Sequence, residues 1–299
     1  MAFDLFFAGG QAGECEDYLI QNGCNRLYSQ LDNMRSIQEW VQRTKGLNNK
    51  LFIDSGAFSA YTRGIKIDID NYISKIDTIG EYIYEFANLD VIPNTTDYDV
   101  ALQAFNEGWK NFLHIQNNSK YADKCCFVFH KGEPEDGLDM VLQYYKEHPN
   151  LKFFAIGGIA KGSKDNFNFA SYVCNKIKSK LPYIKIHLFA YTHIRELPYI
   201  KCDSADSTTW IMIGASGNIL TKFGIISVSN GSRHKSNNFY NLPKNAQEVV
   251  LQELADNGFT LEQVSNDYKY RMIYNIRYFK NWSDNYKYIS LGIKKNTLL

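Results

Sequence analysis

Short apolar runs separated by longer stretches of helical period constrain this chain more than any other feature. The runs fall at 4–8, 50–54, 83–91, 125–130, 152–157, 185–190 and 200–205, with a last one near 224–228. Between them, Asn33 to Arg43 sets Met34, Ile37, Trp40 and Val41 at helical spacing, and Tyr98 to Gly108 does so with Val100, Ala101, Ala104 and Phe105. Leu138 to His148 and Phe167 to Lys180 read alike, closed by Pro149 and Pro182. Such alternation is the mark of βα units around a parallel sheet. About eight strands within residues 1–230 predict an α/β fold, a (β/α)8 TIM barrel. The competing arrangement is an open doubly wound sheet, which wants a Gly-rich phosphate turn. Phe7-Ala8-Gly9-Gly10-Gln11-Ala12-Gly13 lacks the GxGxxG spacing, so the barrel is preferred.

Composition narrows the class. A chain of 299 residues, 44% hydrophobic, can bury a large core. Its formal net charge of +1 provides no global basic field, so any polyanion would be held by a local patch. The six cysteines (15, 24, 125, 126, 174 and 202) form no CxxC pair. Nothing resembles a secretory signal: Phe3 to Phe7 is too short an apolar run, and Gly9-Gly10 stops it. No apolar run approaches the roughly 20 residues of a membrane helix. A cytoplasmic protein with reduced thiols and no membrane partner is expected, in a bacterial cell or a phage-infected host.

Residues 231–299 change character and predict a helical extension packed on the barrel, with helices near 245–256 and 260–280. From Asp267 to Leu299, seven Lys or Arg face two acids, with Tyr268, Tyr270, Tyr274, Tyr278, Trp282, Tyr286 and Tyr288 threaded among them. The mixture suits phosphate pairing and base stacking. A terminal helix whose tyrosines pack while its lysines stay wet has the same composition. Both readings stand.

In a barrel, function collects where the strands end and the βα loops meet. Several such ends carry polar residues or glycine: Asp54-Ser55-Gly56, Asp90, His130-Lys131-Gly132-Glu133, Gly157-Gly158, and Asp203 with Asp206. A lone acid there is commonly an N-cap. Two carboxylates at strand mouths are also the minimum equipment for displacement at a sugar carbon, one attacking and one moving the proton. Cys125-Cys126 reads as straddling a strand. His187 and His193 stand apart from acids and thiols and read as structural, and Trp210 reads as packing.

The ordered set DSGAF, NLD, FHKGE, AIGGIAKG and DSADSTTW, over residues 50 to 210, resembles the queuine-type guanine transglycosylases. It is most similar to their DpdA-like branch, which modifies phage and bacterial DNA. The resemblance implies a TIM barrel that exchanges guanine for a 7-deazaguanine, preQ0 or a relative, without breaking the strand. It implies Asp54 as general acid/base and Asp206 as the attack on C1′, with Asp203 the nearby alternative nucleophile. Ser55, Gly56, Asp90, His130, Gly157, Gly158 and Asp203 would line the base site. No cofactor is implied. The tRNA enzymes carry a CxCxxC zinc pattern that this chain lacks, so neither zinc nor a zinc subdomain is expected, and DNA is favoured over tRNA. A duplex would have to expose its target base. Arg63, Lys161, Lys164, Lys269, Arg271 and Arg277 are candidate nucleic-acid contacts. The partners implied are DNA (or tRNA), the free deazaguanine base and a second copy of the chain.

Three other readings remain: a tRNA enzyme of the same chemistry, a silent nucleic-acid-binding barrel, and a glycosidase acting on sugars or free nucleosides.

Overall fold

The computed structural model describes residues 3–10, 13–93, 97–160 and 162–290. Eight parallel strands close in chain order: β1 (Asp4–Phe7), β2 (Asn25–Ser29), β3 (Leu51–Asp54), β4 (Glu85–Ala87), β5 (Cys125–His130), β6 (Phe153–Gly157), β7 (Lys185–Leu188) and β8 (Ser204–Ser207). Closure comes where β1 pairs with both β2 and β8, Phe6 lying opposite Asp206. The connections carry α1 (Glu14–Gln21), α2 (Met34–Thr44), α3 (Ala57–Arg63), α4 (Ile69–Ile79), α5 (Tyr98–Asn118), α6 (Glu135–Glu147) and α7 (Lys164–Lys180). After β8 comes only the short α8 (Thr209–Ala215). The chain is a (β/α)8 TIM barrel with a helical C-terminal region.

Alternate strand residues point inward and outward. Phe6, Leu27, Phe52, Val128 and Ala155 fill the barrel. Trp40, Tyr72, Phe112, Tyr145 and Trp210 lie between strands and helices. Cys126 belongs to the first cluster and Cys125 to the second, so this pair does straddle its strand. All six cysteines are free thiols. Among the described residues, no helix is long and apolar enough to cross a membrane.

The second strand went unread in the sequence because it is Asn25-Arg26-Leu27-Tyr28-Ser29, with a charge at its second position. Arg26 is only 1% exposed. Its guanidinium donates to the carbonyls of Phe7 and Gly9 and lies 3.3 Å from Glu16. A buried charge is tolerable when so partnered, but it breaks the apolar run that marks a strand. Conversely, 224–228 is no barrel strand. Its residues form β10 (Gly224–Ser227), antiparallel to β9 (Asn218–Thr221).

That hairpin shares a second core with the C-terminal helices, joining Ile219, Ile226, Phe239, Val250, Leu254, Val264 and Tyr274. The helices are α9 (Lys244–Asp256), α10 (Leu261–Asn266) and α11 (Tyr268–Asp284). The single helix expected over 260–280 is broken at Asp267, whose side chain caps α11 by accepting from Lys269 N. α11 packs on α8, α1 and β1. Lys269 at its start reaches Glu14, and Tyr286 beyond its end stacks on Phe3. It thus runs antiparallel to the strands, in the place where the short α8 leaves the barrel uncovered.

Candidate active site

Asp54 ends β3, His130 ends β5 and Gly157 ends β6, so all three come to the C-terminal rim, which Asp90 joins just beyond β4. The turn after β3 needs its glycine: Gly56 has φ 76°, and a Cβ there would lie 2.8 Å from Leu31 Cγ and from Ser29 Oγ. In this conformation Gly56 N–H donates to Asp54 Oδ2 at 3.1 Å. Ser55 Oγ turns the other way and donates to Asp90 Oδ1 at 2.5 Å. The second oxygen of Asp90 lies 2.7 Å from His130 Nε2. Glu133 accepts from His130 N–H at 2.9 Å. Strand ends β3, β4 and β5 are therefore joined by one hydrogen-bonded chain, Ser55–Asp90–His130–Glu133.

Crowding of acids in an enclosed space sets their protonation. Burial, then the charge of Asp90 and that of Asp206, push the Asp54 carboxyl up to about 7, against the Gly56 N–H. Burial likewise lifts Glu133 to about 7, with His130 opposing. For His130, burial disfavours the charged ring, but the hydrogen bond and charge of Asp90 outweigh it and hold its pKa above the ordinary value. His130 Nδ1 is buried with no hydrogen-bond partner.

Asp206, on the inward face of β8, is 6% exposed. Its Oδ1 accepts from Ala190 N–H at 2.7 Å and lies 3.2 Å from His187 Nε2. Asp54 feels the charge of Asp206 as well as that of Asp90, so the two leading candidates share one electrostatic environment.

Other residues fall elsewhere. Asp203, the alternative nucleophile and a candidate base contact, precedes β8 at the opposite end of the barrel. It is bonded at 2.6 Å to Lys178 and at 2.8 Å to Ile186 N–H. It is a structural ion pair and not part of this site. Gly157 and Gly158 do lack side chains for want of room, but the crowding comes from the protein. A Cβ on Gly157 would meet the His130 ring at 2.5 Å, and one on Gly158 would lie 3.1 Å from Lys131 N.

The basic candidates divide. Arg271 is 7% exposed and donates to the carbonyls of Gly214 and Val264 at 2.7 and 2.9 Å, so it holds α11 in place and is not free for phosphate. Arg63 and Lys164 are exposed on the rim, closing α3 and opening α7. Lys269 is tied to Glu14 at 3.0 Å, and Arg277 lies half-buried beside Tyr18. Lys161 lies outside the described residues. Trp210 is fully buried, its indole donating to Ala8 O, as its packing role requires.

Sequence reading missed His187, Ala190 and Glu133 as members of the site. Glu133 sat in a polar strand end, a usable signal. For His187 the only signal was an inward position one residue from the end of a strand beside the Asp206 segment.

No protein-family model matches the chain, and no curated protein matches it. Fold and geometry define a TIM barrel with a carboxylate-lined site at its C-terminal rim. Among the described residues, no group of three or more His, Cys, Asp or Glu could hold a metal ion.

Proposed function

We propose that this chain is a DNA-guanine transglycosylase, a pentosyltransferase that replaces guanine in DNA with a 7-deazaguanine such as preQ0. The observation that carries the reading is the unequal pair of acids. Asp54 is held near neutrality, partly by the charge of Asp206. Asp206 has one oxygen occupied by donors, and its Oδ2 has no hydrogen-bond partner among the described residues. A carboxyl able to hold a proton near pH 7 beside a second acid with an unoccupied oxygen suits separate roles in one displacement.

In this mechanism Asp206 Oδ2 forms a bond to C1′ as the bond from C1′ to guanine N9 breaks. Protonated Asp54 gives its proton to the departing base. The sugar is then an aspartyl ester. The incoming deazaguanine loses its ring proton to Asp54 and displaces Asp206 from C1′, which restores both carboxyls. A carboxyl near neutrality can perform both transfers.

The Asp90–His130 pair supports guanine as the base. Guanine offers an acceptor at O6 beside donors at N1 and N2. Asp90, held by Ser55 and His130, presents its remaining carboxylate lone pairs to such donors. Adenine has an acceptor at N1 and no amino group at position 2, so it would leave the Asp90 lone pairs unmatched, a strong basis for rejection. Phe58, 68% exposed and two residues past Gly56, adds an aromatic face for stacking. DNA is chosen over tRNA on the cysteine positions, which contain no CxCxxC pattern. Protection of phage or bacterial DNA from restriction is the use that fits.

The test offers labelled guanine to the protein with single-stranded DNA and with tRNA in parallel. Mass spectrometry then follows the nucleosides of cells expressing the chain with a deazaguanine supply. Label in DNA, lost in Asp54→Asn and Asp206→Asn, upholds the reading. Label in tRNA alone transfers it to the tRNA enzyme, and label in neither ends it.

A further inference from the structure

We propose that His187 and the backbone of Ala190 act as positioning groups for Asp206, fixing which of its oxygens attacks. The inference rests on the reading of Asp206 as the nucleophile. His187 is fully buried inside the barrel, its ring centroid 4.6 Å from that of Phe52 and 4.7 Å from that of Phe189. An imidazole enclosed by aromatic rings has lost water on both nitrogens, so both need partners. Each has one. Nδ1 lies 2.9 Å from Ser204 Oγ, and Nε2 lies 3.2 Å from Asp206 Oδ1.

The strand register brings this about. His187 on β7 pairs with Ser204 on β8, and Asp206 follows two residues later on the same inward face. A carboxylate oxygen only accepts, so the tautomer is assigned: Nε2 carries the proton to Asp206, and Nδ1 accepts from the Ser204 hydroxyl.

Ala190 supplies the second donor at a conformational cost. Among the described residues it is the one non-glycine residue with positive φ, at 52°. An alanine stays in that region only where its surroundings over-determine it. Here the twist aims its N–H at the same Oδ1, at 2.7 Å. Two donors from the β7 segment thus converge on one oxygen of β8. They stop rotation of the carboxylate and leave Oδ2 presented to the sugar, which is the pre-organisation that an in-line displacement requires. Any buried histidine needs partners on its nitrogens; what is particular here is that one partner is the Asp206 oxygen to which Ala190 N–H also donates.

The test uses the full chain and a guanine-containing single-stranded oligodeoxynucleotide. The covalent protein–DNA ester is timed in a single turnover on a denaturing gel, and guanine affinity is measured alongside. His187→Phe keeps the ring and removes both nitrogens. It is expected to slow ester formation about 10- to 100-fold, the scale of a misplaced reacting group, with guanine affinity unchanged. His187→Gln returns a donor near the Nε2 position and is expected to recover most of the rate. A folded His187→Phe protein that forms ester at the wild-type rate overturns the inference while leaving Asp206 as nucleophile. Ester formed by Asp206→Asn overturns the underlying reading instead. A substrate-free measurement covers a variant that fails to fold: nitrogen NMR of the wild-type His187 ring is expected to find the proton on Nε2. A proton on Nδ1 alone would overturn the contact with Asp206.

Discussion

His130 Nε2 and Asp90 Oδ2 lie 2.7 Å apart, and this contact ties together the ends of the neighbouring strands β4 and β5 at the rim of the barrel. Because the partner carboxylate raises the His130 pKa, the charged ring belongs to the folded site. Its stabilising contribution is whole below the ordinary histidine value and is lost as pH rises through the raised one. The charged ring also fixes the Asp90 carboxylate, so guanine affinity is expected to fall with rising pH across that step. His130→Phe should abolish the step and weaken binding about 10- to 100-fold, the cost of a charge-assisted hydrogen bond. Titration calorimetry against pH checks both.

Asp54 should trade stability for chemistry. The folded carboxyl keeps its proton up to about 7, whereas an unfolded aspartate releases it near 3.8. The folded chain binds the extra proton in that window, so this contribution is full below 3.8 and is lost as pH rises to about 7. Asp54→Asn removes the dependence. It should be more stable than wild type by about 1–2 kcal/mol near pH 8, short of the full linkage value because Asp54 keeps a water-accessible edge. Urea titrations near pH 5 and pH 8 measure the difference, and base exchange by this variant should be lost.

Gly56 should resist even alanine. Its left-handed φ of 76° and the 2.8 Å approach of Leu31 and Ser29 leave no room for a methyl group. Gly56→Ala is expected to cost roughly 2 kcal/mol and to lower the melting temperature. It should also slow exchange, because the turn that holds the N–H on Asp54 must shift.

Asp203 and Lys178 should matter to folding and not to reaction. Breaking this pair from one side leaves a charge enclosed, so Lys178→Met should destabilise by about 3 kcal/mol. Asp203→Asn should likewise melt lower, yet each folded molecule should form ester at the wild-type rate. A loss of chemistry that exceeds the loss of folded protein would return Asp203 to the site.

Glu85, 1% exposed at the other end of the barrel from the rim, is a buried acid with no use in this mechanism. Burial lifts its pKa well above the ordinary value. Its folded form therefore holds a proton that the unfolded chain releases, and stability falls as pH rises above about 4.5. Glu85→Gln should raise the melting temperature at neutral pH with exchange unaffected, as differential scanning calorimetry can show.

The alternation of apolar runs with helical segments pointed to the barrel class, because strand and helix periods are local properties written in consecutive residues, although its eight strands omitted β2 and included 224–228, which lies outside the barrel. It also placed Asp54, Asp90, His130 and Asp206 at strand ends. What it could not hold was any arrangement depending on contacts far apart in the chain. Arg26 disguised β2 because its partners, Phe7, Gly9 and Glu16, come from the preceding unit. Asp203 and Asp206 look interchangeable three residues apart, yet strand direction sends one to Lys178 and the other to the rim. His187 looked inert until the register of β7 against β8 set its ring beside Asp206. Only closure of the barrel decided these pairings, since hydrogen-bond partners and burial are properties of space and not of sequence order.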